Sequence, residues 1–387
     1  MRNSFLVFGS PRIEEEEIQE VVHSLRTAWL GTGPKVAKFE EMFREYIGAD
    51  YAVAVHSCTA ALHLSMIVAG VKEGDEVITT PMTFCATTNS VIHTGATPVL
   101  ADIDRNTLCI SPGELKKKIT SRTKAIIPVH FAGRACAMDE ILSIANRANA
   151  NVINDAAHSI ETEYDGKKIG TLGSMTAYSF YATKNIVTGE GGMITTNDKD
   201  IADKLKIFAL HGMTKDAWKR FSDSGYKHYE VVYPGFKYNM MDMQAAIGIH
   251  QLKRIEEYSE RRKQIWETYM HAFSDLPVFL PSPIEKNTRH ALHLFTLLLD
   301  IDNLKITRDD FMNLLHKENI GSGVHYTALH LHPYYRERFG YQRGDFPNTE
   351  FVADRTISIP LSAKLTNEDV DDVITAVRKI LLSNILD

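Results

Sequence analysis

Asn151-Val152-Ile153-Asn154-Asp155-Ala156-Ala157-His158 is the stretch on which the fold reading turns. Its first six residues predict a short strand, and Asp155 stands at that strand's carboxyl end. Working back, Asp139 to Asn149 reads as a helix and Lys124 to Phe131 as a strand. The run Ala125-Ile126-Ile127-Pro128-Val129 has no polar face, as expected of a strand buried on both sides. Earlier still come a helix near Pro112 to Ile119, a strand over Thr97 to Ile103, a helix over Ala86 to His93 and a strand over Glu76 to Thr80. Thr59 to Ala69 carries Ala60, Leu62, Leu64, Ile67 and Val68 at helical spacing. Strands alternating with helices of about 10 residues make βαβ units, hence an α/β protein with a mostly parallel sheet flanked by helices.

Working forward, Met175 to Phe180 and Gly192 to Thr196 read as short strands. Met241 to Ser259 reads as one long helix with Met243, Ala246, Ile249 and Leu252 available for burial. Beyond it the pattern changes to a strand over His290 to Asp300, a helix over Arg308 to His316, a short strand over Val324 to Tyr326 and a closing helix over Asn367 to Leu382. The expected division is a large domain, 1–260, and a smaller C-terminal α+β domain, 261–387.

Composition narrows the function classes. Of 387 residues, 43 are Lys or Arg and 49 Asp or Glu, a net charge of −6, with 44% hydrophobic residues. A mildly acidic chain lacks the footprint of a general nucleic-acid binder, so any phosphate must be held locally. Cys58, Cys85, Cys109 and Cys136 form no CxxC pair and read as reduced thiols of a cytoplasmic protein. Phe5 to Phe8 is too short for a signal peptide, and no stretch approaches the ~20 apolar residues of a membrane span. His330-Leu331-His332 has no third ligand spaced nearby, so no metal is expected. Trp29, Trp218 and Trp266 are assigned to packing.

The chemistry rests on three features. Asp155 at a strand's carboxyl end and Lys184, in Ser179-Phe180-Tyr181-Ala182-Thr183-Lys184-Asn185, can both point into the crevice where open α/β sheets bind ligands. Alone, Asp155 is equally well a helix N-cap. Ser57-Cys58-Thr59, between a strand and a helix, offers backbone N–H groups and two hydroxyls to an anion, although an ordinary N-cap would look the same. Gly189-Glu190-Gly191-Gly192 is either a hairpin turn or a close backbone approach. Together a lysine amine, a strand-end acid and a phosphate cradle describe a pyridoxal 5′-phosphate site, with the acid keeping the ring nitrogen protonated.

The chain resembles the DegT/DnrJ/EryC1/StrS family of nucleotide-sugar aminotransferases over nearly its whole length. The resemblance is carried by Gly31 to Pro34, Ser57 to Leu62, Gly74 to Ile78, Pro81 to Phe84, Asp155 to His158, Ser179 to Asn185, Gly189 to Gly192 and Pro234 to Asn239. Gly235 to Ala246, His325-Tyr326 and Tyr334 to Phe339 most resemble members that aminate UDP-linked 4-keto sugars. The family implies a type I aminotransferase fold, a homodimer with shared active sites, and amino transfer from L-glutamate to a nucleotide keto sugar through pyridoxal phosphate and its pyridoxamine form. It implies that Lys184 is the Schiff-base lysine, that Asp155 faces the pyridine nitrogen, and that Ser57, Cys58, Thr59 and Ser179 hold the phosphate. Phe84 would stack on the ring and His158 would sit at its other polar edge. Lys237 or Asn239 would reach into the partner's site, and His325, Tyr326 and His330 would line the sugar-nucleotide pocket. Cys58, Asn154 and Glu161 depart from the usual Gly, Glu and Gly. Family members that dehydrate sugars replace the lysine by His, against which Lys184 argues, and a non-catalytic sensor would not need that lysine.

Overall fold

In the computed structural model, which describes residues 2–214 and 229–386, the strand Asn151–Asp155 is the middle member of a seven-stranded sheet. Trp218 lies outside the described residues. The order across the sheet is Tyr51–Val55, Gly192–Thr196, Met175–Ser179, Asn151–Asp155, Thr123–Ile126, Glu76–Thr79, Thr97–Leu100. Only Gly192–Thr196 runs against its neighbours; the other six strands share one direction. This is the mixed, mostly parallel sheet that the alternation of elements predicts.

One consequence positions the site. The carboxyl ends of Tyr51–Val55, Asn151–Asp155 and Met175–Ser179 meet the start of the reversed strand along one edge, with Val55 and Ser179 both in register with Gly192. The helix Cys58–Val68 begins at that edge. Ser57 caps it by accepting the Ala60 N–H at 3.1 Å. Its residues Ala60 to Met66 are all buried, so this stretch of the helix is enclosed on every side and is held by packing instead of solvation.

Both faces of the sheet are covered, as near-continuous apolar strands require. Val152 and Tyr178 pack on one side with Phe39, Phe43 and Phe180. Ile153, Ala177 and Ile194 pack on the other with Ala60, Ala61 and Leu64. Each fully buried large side chain contributes about 1.5–3 kcal/mol. A further core unites Ile265, Trp266 and Tyr269 with the strands Phe295–Leu299 and Thr356–Ile359 and the helices Arg308–Lys317 and Asn367–Leu382. Leu6 joins this second core and exchanges backbone hydrogen bonds with Asn319 and Gly321. Trp266 is buried there, whereas Trp29 is 51% exposed. Among the described residues no helix is long and apolar enough to cross a membrane.

The structure corrects three expected elements. The long helix is two, Asp242–Lys253 and Ile255–Ala272, which meet at Arg254, where ψ is 6° and the guanidinium turns to Glu16, Glu17 and Tyr258. The strand expected over His290 to Asp300 is confined to Phe295–Leu299. Ala291 and His293 spend their N–H groups on the carbonyls of Gly133 and Ala132, outside the small sheet. Val324 to Tyr326 is not a strand: Gly323 pairs with Ser358, after which the chain leaves the sheet and enters the site.

Candidate active site

The sheet edge and the segment Val324 to Tyr326 enclose a cavity of about 620 Å³. Asp155 lies in its wall with both carboxylate oxygens engaged. Thr87 Oγ1 donates to Oδ2 at 2.8 Å and the Ala157 N–H to Oδ1 at 3.1 Å. Burial still pushes its carboxyl above the ordinary value, against the pull of Thr87, Ala157 and Lys184. A buried carboxylate satisfied by neutral donors is poised to accept a cationic N–H, which is what a protonated pyridine nitrogen presents.

Lys184 faces the same cavity from the loop after Met175–Ser179. Burial lowers its ammonium to about 8, with Cys58 and Asp155 pulling the other way. A sizeable neutral fraction near pH 8 is what an amine needs to attack a carbonyl or take a proton. The Cys58 thiol, also in the wall, is driven well above its ordinary value by burial first and Asp155 second, so it stays protonated.

Ser57-Cys58-Thr59 follows the strand Tyr51–Val55 and forms the start of the helix Cys58–Val68. The Cys58 and Thr59 N–H groups occupy the first turn of their helix, where no intrahelical carbonyl can reach them. Ser57 and Ser179 stand beside them in the cavity wall. Gly192 lets the strands close on this turn, because a Cβ there would lie 2.5 Å from the Ser57 carbonyl carbon and 2.8 Å from the Cys58 nitrogen. The glycines therefore serve a close approach as well as a turn. Phe84, 59% exposed, offers a ring face to the cavity and lies 6.2 Å from the Tyr326 ring. Helix dipole, hydroxyls, acid, lysine and ring face together fit pyridoxal phosphate.

His158 and Tyr326 form the opposite wall. His158 Nδ1 accepts the Ala132 N–H at 3.2 Å, and burial, then Lys184, holds the ring well below its ordinary value and so neutral. Its proton is therefore on Nε2, where it donates to the Tyr326 hydroxyl at 3.1 Å. His325 lines the cavity too, with Nδ1 at 2.9 Å from Ser358 Oγ and burial lowering it to about 4.

His330 lies away from the cavity, and Lys237 and Asn239, expected to reach a partner's site, do not line the cavity of their own chain. His330 is fully buried, pairs through Nε2 with Glu350 at 3.0 Å and packs on Phe346, so it does not line the cavity. Lys237 is exposed, with its backbone bridged to Leu210. Asn239 bridges Val55 and donates to Thr32 Oγ1 at 2.6 Å, outside the cavity wall.

A polar network behind Lys184 was not expected. Asn185 Nδ2 donates to Glu161 Oε2 at 2.8 Å and to the Ala291 carbonyl, and its Oδ1 meets His293 Nδ1 at 2.9 Å. Glu161 is fully buried and paired with buried Arg262. The His293 ring lies 4.4 Å from that of His158. The one sequence signal was the departure at Glu161.

The chain is 53% identical over 384 residues to an uncharacterized protein, MJ1066, of Methanocaldococcus jannaschii, covering 99% of this chain and 100% of that one. It is 50% identical to the spore coat polysaccharide biosynthesis protein SpsC of Bacillus subtilis, covering 98% of each. Among solved structures, Spr1654 from Streptococcus pneumoniae, described as a sugar aminotransferase, superposes in its PMP form with a TM-score of 0.92 at 32% identity, covering 98% of this chain and 99% of that one. The sequence model of one family matches residues 11–378, nearly the whole length over which these motifs and this sheet extend. The chain belongs to the DegT/DnrJ/EryC1/StrS aminotransferase family.

Proposed function

We propose that the protein is a pyridoxal-phosphate-dependent aminotransferase that moves the amino group of L-glutamate to the C4 keto group of a nucleotide-linked deoxy sugar, with UDP as the nucleotide. The observation that carries the reading is the convergence of Lys184, Asp155 and the N-terminus of the helix Cys58–Val68 on one cavity. The polysaccharide role named for SpsC and the sugar named for Spr1654 support the sugar class.

When bound, the cofactor supplies a carbonyl for amine exchange and an electron sink for the carbon that loses its proton. The residues do the rest. Cys58 and Thr59 N–H groups with Ser57 and Ser179 hydroxyls hold the phosphate, and Asp155 holds the proton on the ring nitrogen. Phe84 covers one ring face and shields it from water. Lys184 Nζ would take the proton from the donor's Cα and deliver it to the former carbonyl carbon on the far side of the nitrogen, two bonds away, and the reverse order would serve the keto sugar. Among the described residues Lys184 is the single Lys or Arg lining the cavity, and in the proposed reading a second copy of the chain supplies cations for a sugar diphosphate, in a cytoplasmic homodimer to which exposed Lys237 contributes.

The test is to incubate purified protein with pyridoxal phosphate, L-glutamate and UDP-linked 4-keto sugars, measuring 2-oxoglutarate and the product mass. The expected result is one 2-oxoglutarate per aminated sugar. A cofactor-loaded protein that aminates none of a panel of keto sugars overturns the reading.

A further inference from the structure

We infer that Thr87, backed by Thr83, is a positioning residue that keeps Asp155 ionised and aimed at the ring nitrogen of the bound cofactor. The inference rests on the reading of the cavity as a pyridoxal phosphate site. It begins from proton counting. Thr87 Oγ1 is 2.8 Å from Asp155 Oδ2 and 2.7 Å from Thr83 Oγ1, and all three residues are buried. A hydroxyl has one proton. A carboxylate accepts only, so the Thr87 proton goes to Asp155 and Thr83 must be the donor to Thr87. The polarity of the chain is thereby fixed, running from Thr83 through Thr87 to the carboxylate.

The arrangement is costly for a helix and useful for the site. Thr87 lies in the first turn of the helix Cys85–His93, where a threonine hydroxyl ordinarily bonds back to its own backbone. Here it is spent on a strand-end acid 68 residues away in sequence. Every group facing that acid makes the same demand. Ala157 on its own loop gives one N–H; Lys184 from the neighbouring loop is the nearby cation. The protonated Cys58 thiol and the Cys136 thiol and Tyr326 phenol feel its charge but lend it no proton. His158, three residues further along the same loop, is neutral and gives its proton to Tyr326. Thr87 is therefore the one side-chain hydrogen-bond donor to Asp155 among the described residues. Without it, burial works against the charge with one backbone N–H and the Lys184 charge to oppose it.

Losing the Thr87 donor raises the carboxyl's own proton affinity, so as pH falls Asp155 is neutralised, and its hold on the ring nitrogen's proton lost, at a higher pH than in wild type. The experiment loads the protein with pyridoxal phosphate carrying ¹⁵N in the ring and follows that nitrogen's chemical shift with pH in wild type, T87V, T87A and T87S. The midpoint of carboxyl protonation, read through the ring nitrogen's shift, is expected to rise by about 1–2 pH units in T87V, the span that one hydrogen bond to a charged group covers. T87S, which keeps the hydroxyl, returns the midpoint to that of wild type. T87A removes the hydroxyl without adding bulk and carries the same expectation if valine disturbs the helix. Unchanged midpoints in T87V and T87A overturn the role of Thr87. Wild-type protein that fails to bind the labelled cofactor overturns the site reading as well, and is told apart because no variant is needed to see it.

Discussion

Replacing Lys184 by Met should make the cofactor-free protein more stable at neutral pH while ending amino transfer. The folded protein lowers the Lys184 ammonium from 10.5 to about 8, chiefly through burial. The unfolded chain keeps the ordinary value, so between about pH 8 and 10.5 it binds more protons than the folded chain, and stability rises with pH across that window. Below pH 8 both states are protonated and the folded state carries the whole penalty. A gap of about 2.5 pH units at 1.36 kcal/mol each sets a ceiling of about 3.4 kcal/mol. Because the side chain lines an open cavity and remains partly accessible, solvent screening reduces the expected effect to about 1–2 kcal/mol. Urea unfolding of cofactor-free wild type and Lys184→Met at pH 7 and pH 10.5 measures it. The variant should be more stable at pH 7, and the advantage should shrink toward zero at pH 10.5. A variant no more stable at pH 7 refutes the reasoning, and an advantage that persists at pH 10.5 assigns the effect to apolar packing instead of charge.

Gly192→Ala forces a Cβ that would sit 2.5 Å from the Ser57 carbonyl carbon about 1 Å outward, displacing the cradle, and should weaken pyridoxal phosphate binding ~10–100-fold in a fluorescence titration. Arg262→Met leaves Glu161 charged and unpaired in the interior and should cost about 3–5 kcal/mol in denaturant unfolding, while Glu161→Met with Arg262→Met together should recover most of it. Asp242 accepts the N–H groups of Gly33, Lys35 and Val36 at the start of the helix Pro34–Ile47, so Asp242→Ala should lose about 1–2 kcal/mol in the same measurement.

The parts of the site legible in the sequence are those written in local pattern. Asp155 follows an apolar strand, Ser57 precedes an apolar helix, and period and position place both on the same sheet edge. Lys184 needed the convergence of these signals, since a lysine alone carries none. What stayed hidden is set by partners distant in the chain. Thr87 looks like any threonine early in a helix, and only the sheet brings Asp155 within reach. Arg262 meets Glu161 across 101 residues of sequence. His330 reads like a ligand in a loop until Glu350 is found holding it in the interior. The break at Arg254 was equally invisible, because the apolar spacing continues through it and the cause is a pair of glutamates on the first helix.

The electrostatics of the cavity explain how an acidic chain can hold phosphorylated ligands. Burial keeps His158 and His325 neutral and Cys58 and Tyr326 protonated. Of the formally charged side chains in the wall, Lys184 and Asp155 are the pair that feel each other's charge. In the proposed function, phosphate recognition falls to N–H groups and hydroxyls at a helix N-terminus, whose partial charge does not depend on pH and does not compete with the lysine for a proton. Were an arginine used there instead, it would lower the Lys184 ammonium further while drawing Asp155 away from the ring nitrogen. Separating anion binding from proton transfer leaves each titratable group with a single task, and the surface charge of −6 has no bearing on either.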